Sequence, residues 1–175
     1  RGPLGGRGPP CGWGAGGGGG GHHACGAAGP GQGAADWGRA GGRALPLAGD
    51  VTRAEDWRRL VRAARDFGGR LDVVVNNAGW THRNRPMLEV SEDEFDKVYA
   101  INVKSIYLSA IHAVPAMRAN PGGTSGSFIN IASTAGLRPR PGLTWYHGPK
   151  GAVPPTSKPM STELAPEKIH DNRTN

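Results

Sequence analysis

Residues 71–75, Leu-Asp-Val-Val-Val, run through mostly β-branched side chains and stop abruptly on Asn76-Asn77-Ala78-Gly79. This pattern is close to that of a strand buried on both faces, and such strands belong to parallel sheets covered by helices. The flanking segments fit that expectation. Upstream, the apolar run 44–49 ends at Asp50 and reads as a strand with Pro46 near its start. Thr52-x-x-Glu55 follows with the pattern of a capping box. Ala54, Trp57, Leu60, Val61, Ala64 and Phe67 then share one helical face until Gly68-Gly69 stops it. Downstream, Ser91-x-x-Glu94 opens a second helix, with Phe95, Val98, Ile101, Tyr107 and Ile111 along one broad apolar side. Pro115 is expected to kink or end it. Residues 126–133 form a further strand. Strand, helix, strand, helix, strand, with crossovers long enough for parallel pairing, predicts an α/β doubly wound, Rossmann-like sheet.

Composition limits how much of such a fold the chain holds. Its 175 residues give room for one domain and one core. Thirty are glycine and fifteen proline, and the excess is uneven. Residues 1–43 hold no periodic apolar segment, and the glycine run 16–21 buries nothing to offset its backbone entropy. They are expected to be a poorly ordered head, with the sheet confined to 44–175. The net charge of +7 comes mostly from scattered arginines and reads as a solvated surface. No aromatic-interleaved basic stripe or zinc-finger spacing argues for a nucleic-acid partner. Cys11 and Cys25 are too few for a disulfide framework, and His22 and His23 beside Cys25 read as coil rather than as metal ligands. No apolar run has membrane-spanning length and no signal-peptide pattern opens the sequence, so a soluble, cytoplasmic protein is expected.

Ligands of doubly wound sheets bind beyond the carboxyl ends of the strands. Asp50, Asn76 to Gly79 and Ser133 all lie at such ends. Beyond them, Tyr146-His147-Gly148-Pro149-Lys150 places a tyrosine and a lysine four apart, on one helix face. A phenol with its ordinary pKa near 10 is a poor base at neutrality, and a nearby ammonium favours the phenolate. Each of these residues also has a purely structural use. Asn102 could satisfy backbone groups at a helix distortion, Ser133 could be a strand-end turn residue, Asp50 an Asx-turn before Thr52, and Tyr146 plain packing.

Taken together, Asn-Asn-Ala-Gly after a buried strand, Asn102 within Ile101-Asn102-Val103, Ser133, and the Tyr146/Lys150 pair resemble the short-chain dehydrogenase/reductase family, which includes glucose dehydrogenases and 3-oxoacyl-carrier-protein reductases. The resemblance is close from about residue 41 to 150 and weaker through 157–169. It implies hydride transfer between NAD or NADP and a carbonyl/alcohol substrate. Tyr146 would be the general acid/base, and Lys150 would lower its pKa and bind the nicotinamide ribose. Ser133 would hold the substrate oxygen, and Asn102 a water that relays protons through Lys150. Asp50 and Val51 would contact the adenine, and Asn77, Ala78 and Gly79 would line the cofactor trough. Gly2, Gly6 and Gly8, in a GxxxGxG spacing, are the candidate phosphate loop.

The departures from the family are as specific as the matches. Arg1 stands where the family has threonine, no strand precedes Gly2, and Pro9-Pro10 occupy the start of the expected helix. Nothing in residues 16–33 resembles the strand whose end separates NAD from NADP. The Tyr146/Lys150 helix would have to absorb Pro149, Pro154, Pro155 and Pro159, at about 3 kcal/mol for each interior proline. The family pattern continues past Asn175 with a further strand, a substrate loop and a final strand. The expectation is therefore an incomplete oxidoreductase with weak or no activity, homo-oligomeric if folded. The alternative is a degenerate, non-catalytic module acting through oligomerisation.

Overall fold

A computed structural model describes residues 44–138 and 140–174. The head, with Gly2, Gly6, Gly8, His22, His23 and both cysteines, lies outside the described residues. Three strands, β1 (Val73–Asn76), β2 (Gly126–Ile131) and β3 (Ile169–Thr174), form a parallel sheet in the order β1-β2-β3. Val74 lies opposite Phe128, and Phe128 opposite Asp171. The helices are α1 (Ala54–Gly68), α2 (Glu92–Tyr99), α3 (Ser105–Arg118) and α4 (Thr144–Leu164). They pack on the sheet face that carries Val74 and Phe128. Trp57, Ile101, Leu108, Met117, Leu164 and Ile169 complete the core there. The α/β parallel fold expected from the sequence is present.

Several local expectations are corrected. Residues 44–48 have no regular structure and Gly49 makes only an isolated bridge, so the run that contains Pro46 is not a strand. Thr52 does not cap α1. Arg53 occupies the cap position without a side-chain bond, and the Thr52 hydroxyl donates instead to the Asp50 carboxylate. Gly69, at φ 76°, closes α1 as the glycine pair predicted. β1 is buried on one face only. Val74 and Asn76 are covered, whereas Val73 and Val75 are about half exposed. The β-branched run thus carried strand propensity without two-sided burial.

The Ser91/Glu94 capping box forms as predicted and starts α2. The single apolar side expected beyond it does not form. Between α2 and α3 the chain makes a π-helical turn, Ala100–Lys104. An i→i+5 turn inserts a residue and rotates everything after it. Val98 and Ile101 are buried, as are Ile106, Leu108, Ala113 and Val114, while Tyr107 and Ile111 face outward; at about 100° per residue these two lie on the side of the helix away from Val98 even without the π-turn. Pro115 does not end α3, which runs on to Arg118 and buries Ala116 and Met117 in its last turn. α4 likewise runs through all four prolines. It is held by Val153, packed with Ile106 and Ala132, and by Leu164 in the main core.

Candidate active site

β1 delivers the chain to its carboxyl end at Asn76, and the Asn77 N–H turns back to the Val75 carbonyl at 3.1 Å. Here Val51, Asn77 and Ala78 meet, with Trp57 and Ser105, around a cavity of about 20 Å³. That is room for a single water. The Trp57 indole N–H donates to the Val51 carbonyl at 2.9 Å, which pins this segment to α1. Asp50 forms the Asx-turn, its carboxylate accepting from the Thr52 N–H at 2.8 Å and from the Thr52 hydroxyl at 2.7 Å.

The π-turn places Asn102. Its Nδ2 donates to the Val98 carbonyl at 2.8 Å and to the Trp80 carbonyl at 2.7 Å. The first bond occupies a carbonyl at the helix distortion, and the second ties the loop after β1 to the helix. Asn102 is 2 % exposed, yet its Oδ1 has no hydrogen-bond partner among the described residues. A buried acceptor without a donor costs about 1–3 kcal/mol, so this atom asks for a ligand or a water. It looks at Gly79. A Cβ placed on Gly79 would lie 3.3 Å from Asn102 Oδ1 and 3.4 Å from Lys150 Nζ. The absent side chain leaves a gap into which an acceptor and an ammonium both point.

Lys150 reaches that gap from α4 and donates to the Ile131 carbonyl at 3.2 Å, at the end of β2. It is 6 % exposed. Burial pushes its pKa below the ordinary lysine value, because the charged form loses its hydration. Two residues past Ile131, Ser133 caps the short 3-10 turn Thr134–Gly136, its Oγ accepting from the Ala135 N–H at 3.1 Å. The hydroxyl keeps its own hydrogen to donate. The turn lies on the backbone of α4, since a Cβ on Gly136 would sit 2.7 Å from the Lys150 carbonyl oxygen. Tyr146, half-buried in the first turn of α4, has its N–H on the Leu143 carbonyl at 3.0 Å. Its neighbour Trp145 stacks edge-on against Phe95 and donates to the Met87 carbonyl at 2.8 Å, anchoring the helix start.

The structure therefore brings Gly79, Asn102 and Lys150 to one point. Ser133 sits beside it through Gly136, and Tyr146 one helical turn before Lys150. Val51, Asn77 and Ala78 form a second cluster, linked to the first by the short run from 77 to 79. Asp50 is engaged by Thr52 and makes no bond to either. Sequence reasoning did not single out the Trp80 and Ile131 carbonyls, which carry no residue-type signal, or Gly136, whose place three residues after Ser133 was a readable one. Among the described residues no group of three His, Cys, Asp or Glu could hold a metal. Larger clefts of about 610 and 540 Å³ lie elsewhere, between α1 and α3 and beside Asp171, away from these residues.

A family model described as short chain dehydrogenase matches residues 25–174. The chain is 49% identical over 134 residues to 4-formylbenzenesulfonate dehydrogenase of Comamonas testosteroni, covering 77% of this chain and 52% of that protein. It is 35% identical over 141 residues to a cyclopentanol dehydrogenase of the same species, covering 81% and 55%. Among solved structures, 3-ketoacyl-(acyl-carrier-protein) reductase from Brucella melitensis, complexed with NADH, aligns with a TM-score of 0.68 at 37% identity. That alignment covers 71% of this chain and 52% of the reductase. A short chain dehydrogenase from Mycobacterium smegmatis aligns with a TM-score of 0.76 at 26% identity, covering 82% and 59%. The chain spans about half the length of the curated relatives it matches. Among the described residues, no helix is long and apolar enough to cross a membrane.

Proposed function

The chain belongs to the short-chain dehydrogenase family, and from that premise we propose that it carries the catalytic core of an oxidoreductase acting on a carbonyl/alcohol pair with NAD or NADP. The observation that carries this reading is the convergence of the unpartnered Asn102 Oδ1 and Lys150 Nζ on the bare Cα of Gly79. Relatives named for an aldehyde, a cyclic alcohol and a ketoacyl chain support the breadth of the substrate class.

When bound, a nicotinamide would supply or accept the hydride, chemistry that no side chain of this chain offers. The residues fit its ribose end: Lys150 would hold a ribose hydroxyl, with Asn77, Ala78 and Gly79 along the trough and Asp50 and Val51 at the adenine. Ser133 donates its free hydroxyl hydrogen to the substrate oxygen, which stabilises charge as it develops there. Tyr146 moves the proton at that same oxygen. Lys150 recharges the phenol, and its burial suits it to the task, because an ammonium with a lowered pKa gives up a proton closer to neutrality. A water accepted by Asn102 Oδ1 in the gap at Gly79 connects Lys150 to the relay.

The test is turnover and binding in the purified chain. NADH or NADPH should raise the melting temperature, and Tyr146→Phe should abolish cofactor-coupled turnover while leaving that shift in place. Turnover that survives Tyr146→Phe removes the phenol from the mechanism. A second reading, a non-catalytic module that self-associates, has its own support in Tyr107 and Ile111, which stand 59% and 51% exposed on α3. Self-association without cofactor binding would favour it.

A further inference from the structure

We propose that His147 is a positioning residue, the clip that sets Ser133 against Tyr146 and Lys150; the inference deepens the catalytic reading above and rests on it. Ser133 and Tyr146 come from different elements, the end of β2 and the start of α4, and among the described residues of the connection between them only the 3-10 turn Thr134–Gly136 is regular structure. The His147 ring reaches back over this connection at two places. Nδ1 meets the Ala135 carbonyl oxygen, and Nε2 lies 2.9 Å from the Arg140 backbone nitrogen. A backbone N–H can only donate, so Nε2 is the acceptor and the ring proton sits on Nδ1, where it donates to Ala135. Nε2 is also 3.3 Å from the Arg140 carbonyl. The opposite tautomer could use that longer contact, but it would aim an N–H at the Arg140 N–H and a lone pair at the Ala135 oxygen. One neutral tautomer satisfies both partners.

Ala135 makes this geometry matter for the site. Its carbonyl takes the His147 ring, and its N–H is the donor that fixes Ser133 Oγ at 3.1 Å. A single peptide residue thus separates the imidazole from the serine hydroxyl. On the other side, the backbone of Gly136 rests on that of Lys150 with no side chain between them. His147 directly follows Tyr146 on α4, so a ring held at both nitrogens also fixes the rotation of the helix turn from which Tyr146 projects. Without the clip, Ser133 and Tyr146 stay in the chain but lose their shared frame. A misplacement of about 1 Å can cost on the order of 10²-fold in rate.

Two measurements test this. Long-range ¹H–¹⁵N spectra of the imidazoles in the folded chain should show His147 as the Nδ1–H tautomer; an Nε2–H ring overturns the proposal whether or not the chain turns over. In steady-state kinetics, His147→Phe should lower kcat about 10- to 100-fold with the KM for cofactor within about twofold. His147→Gln, which keeps a donor and an acceptor, should recover part of the loss. Ser133→Ala is run alongside. If Ser133→Ala leaves turnover intact, the catalytic reading falls on its own account. If Ser133→Ala abolishes turnover while His147→Phe matches the parent, the clip is wrong and the catalytic reading stands. Should His147→Phe fail to fold, the tautomer and His147→Gln decide, and a Gln variant with no recovery beyond His147→Ala overturns the proposal.

Discussion

The Asn130 amide donates to the Asp171 carboxylate at 2.8 Å on the covered face of the sheet, and the second Asp171 oxygen has no partner among the described residues. The bond ends a polar chain that crosses all three strands. Asn76 Nδ2 donates to Ser109 Oγ and to Asn130 Oδ1, each at 2.8 Å, and Asn130 Nδ2 also reaches Ser157 Oγ at 3.0 Å. Asn76 donates to Asn130, which in turn donates to Ser157 and Asp171, but one carboxylate oxygen is left over. Burial pushes its pKa up from 3.8 to about 6, with the Ser157 hydroxyl pulling the other way.

From that shift follows a pH dependence of stability. Between about pH 4 and pH 6 the folded chain binds the Asp171 proton that the unfolded chain has lost. Stability therefore falls as pH rises through this window and stays low above it. The penalty at neutral pH is on the order of 3 kcal/mol, from roughly two pKa units at about 1.4 kcal/mol each. Asp171→Asn should raise the melting temperature at pH 7.5 by several degrees and flatten the profile between pH 4 and 6. Equal melting of the two proteins at pH 7.5 would show that the carboxylate is solvated.

Gly79→Ala isolates the gap at the centre of the proposed site. The new methyl would lie 3.3 Å from Asn102 Oδ1 and 3.4 Å from Lys150 Nζ, close enough that both must yield by a few tenths of an ångström. It also fills the place proposed for the relay water. The variant should keep a cooperative melt within a few degrees of the parent and lose turnover roughly 10- to 100-fold. Unchanged turnover would mean that no water or ribose needs that space.

The prolines of α4 give a prediction about the fold alone. Pro155 and Pro159 are exposed, and each denies the helix one backbone bond, to the carbonyls of Gly151 and Pro155 respectively. Their packing contribution is small, so the intrinsic cost of about 3 kcal/mol for an interior proline is largely uncompensated. Pro155→Ala and Pro159→Ala should each stabilise the chain by 1–3 kcal/mol, read as a higher denaturation midpoint without loss of helical circular dichroism. A lower midpoint would place a proline-specific contact at that position.

How far the sequence could be read differs element by element. Ser91 with Glu94, and Gly68 with Gly69, marked helix ends correctly because capping and left-handed closure are local and need nothing from the rest of the chain. The Tyr146/Lys150 pair was legible as a candidate by type and spacing, and Asn102 through the family resemblance. The convergence of Asn102 and Lys150 on Gly79 was not, since it depends on a π-turn that no periodicity announces. Tyr107 and Ile111 were misplaced by the count along the helix itself, because at about 100° per residue both lie on the side away from Val98. Thr52 failed as a cap because the helix begins one residue later, with Arg53 at the cap position, while Thr52 closes the turn on the Asp50 carboxylate. The four prolines read as a heavy cost to a helix that would have to absorb them. In the fold, Val153 and Leu164 anchor the helix across them, packing that no local rule weighs.

Lys150 sets function against stability, and the two can be measured apart. Its ammonium is buried with the Ile131 carbonyl as its one hydrogen-bond partner among the described residues, and desolvation holds its pKa below 10.5. Between the lowered folded value and 10.5, the unfolded chain binds a proton that the folded chain has released. Stability contributed by this group therefore rises with pH across that window, the reverse of the Asp171 case. Lys150→Met keeps most of the apolar stem and removes the charge. It leaves the Ile131 carbonyl without this donor, a cost of about 1–3 kcal/mol set against relief from burying an ion. The variant should lose the alkaline rise in stability, melt at pH 7 within a few degrees of the parent, and show no cofactor-coupled turnover. If it kept the alkaline rise, another group would be its source. If it kept turnover, the proton would reach the phenol by a route that does not pass through the gap at Gly79.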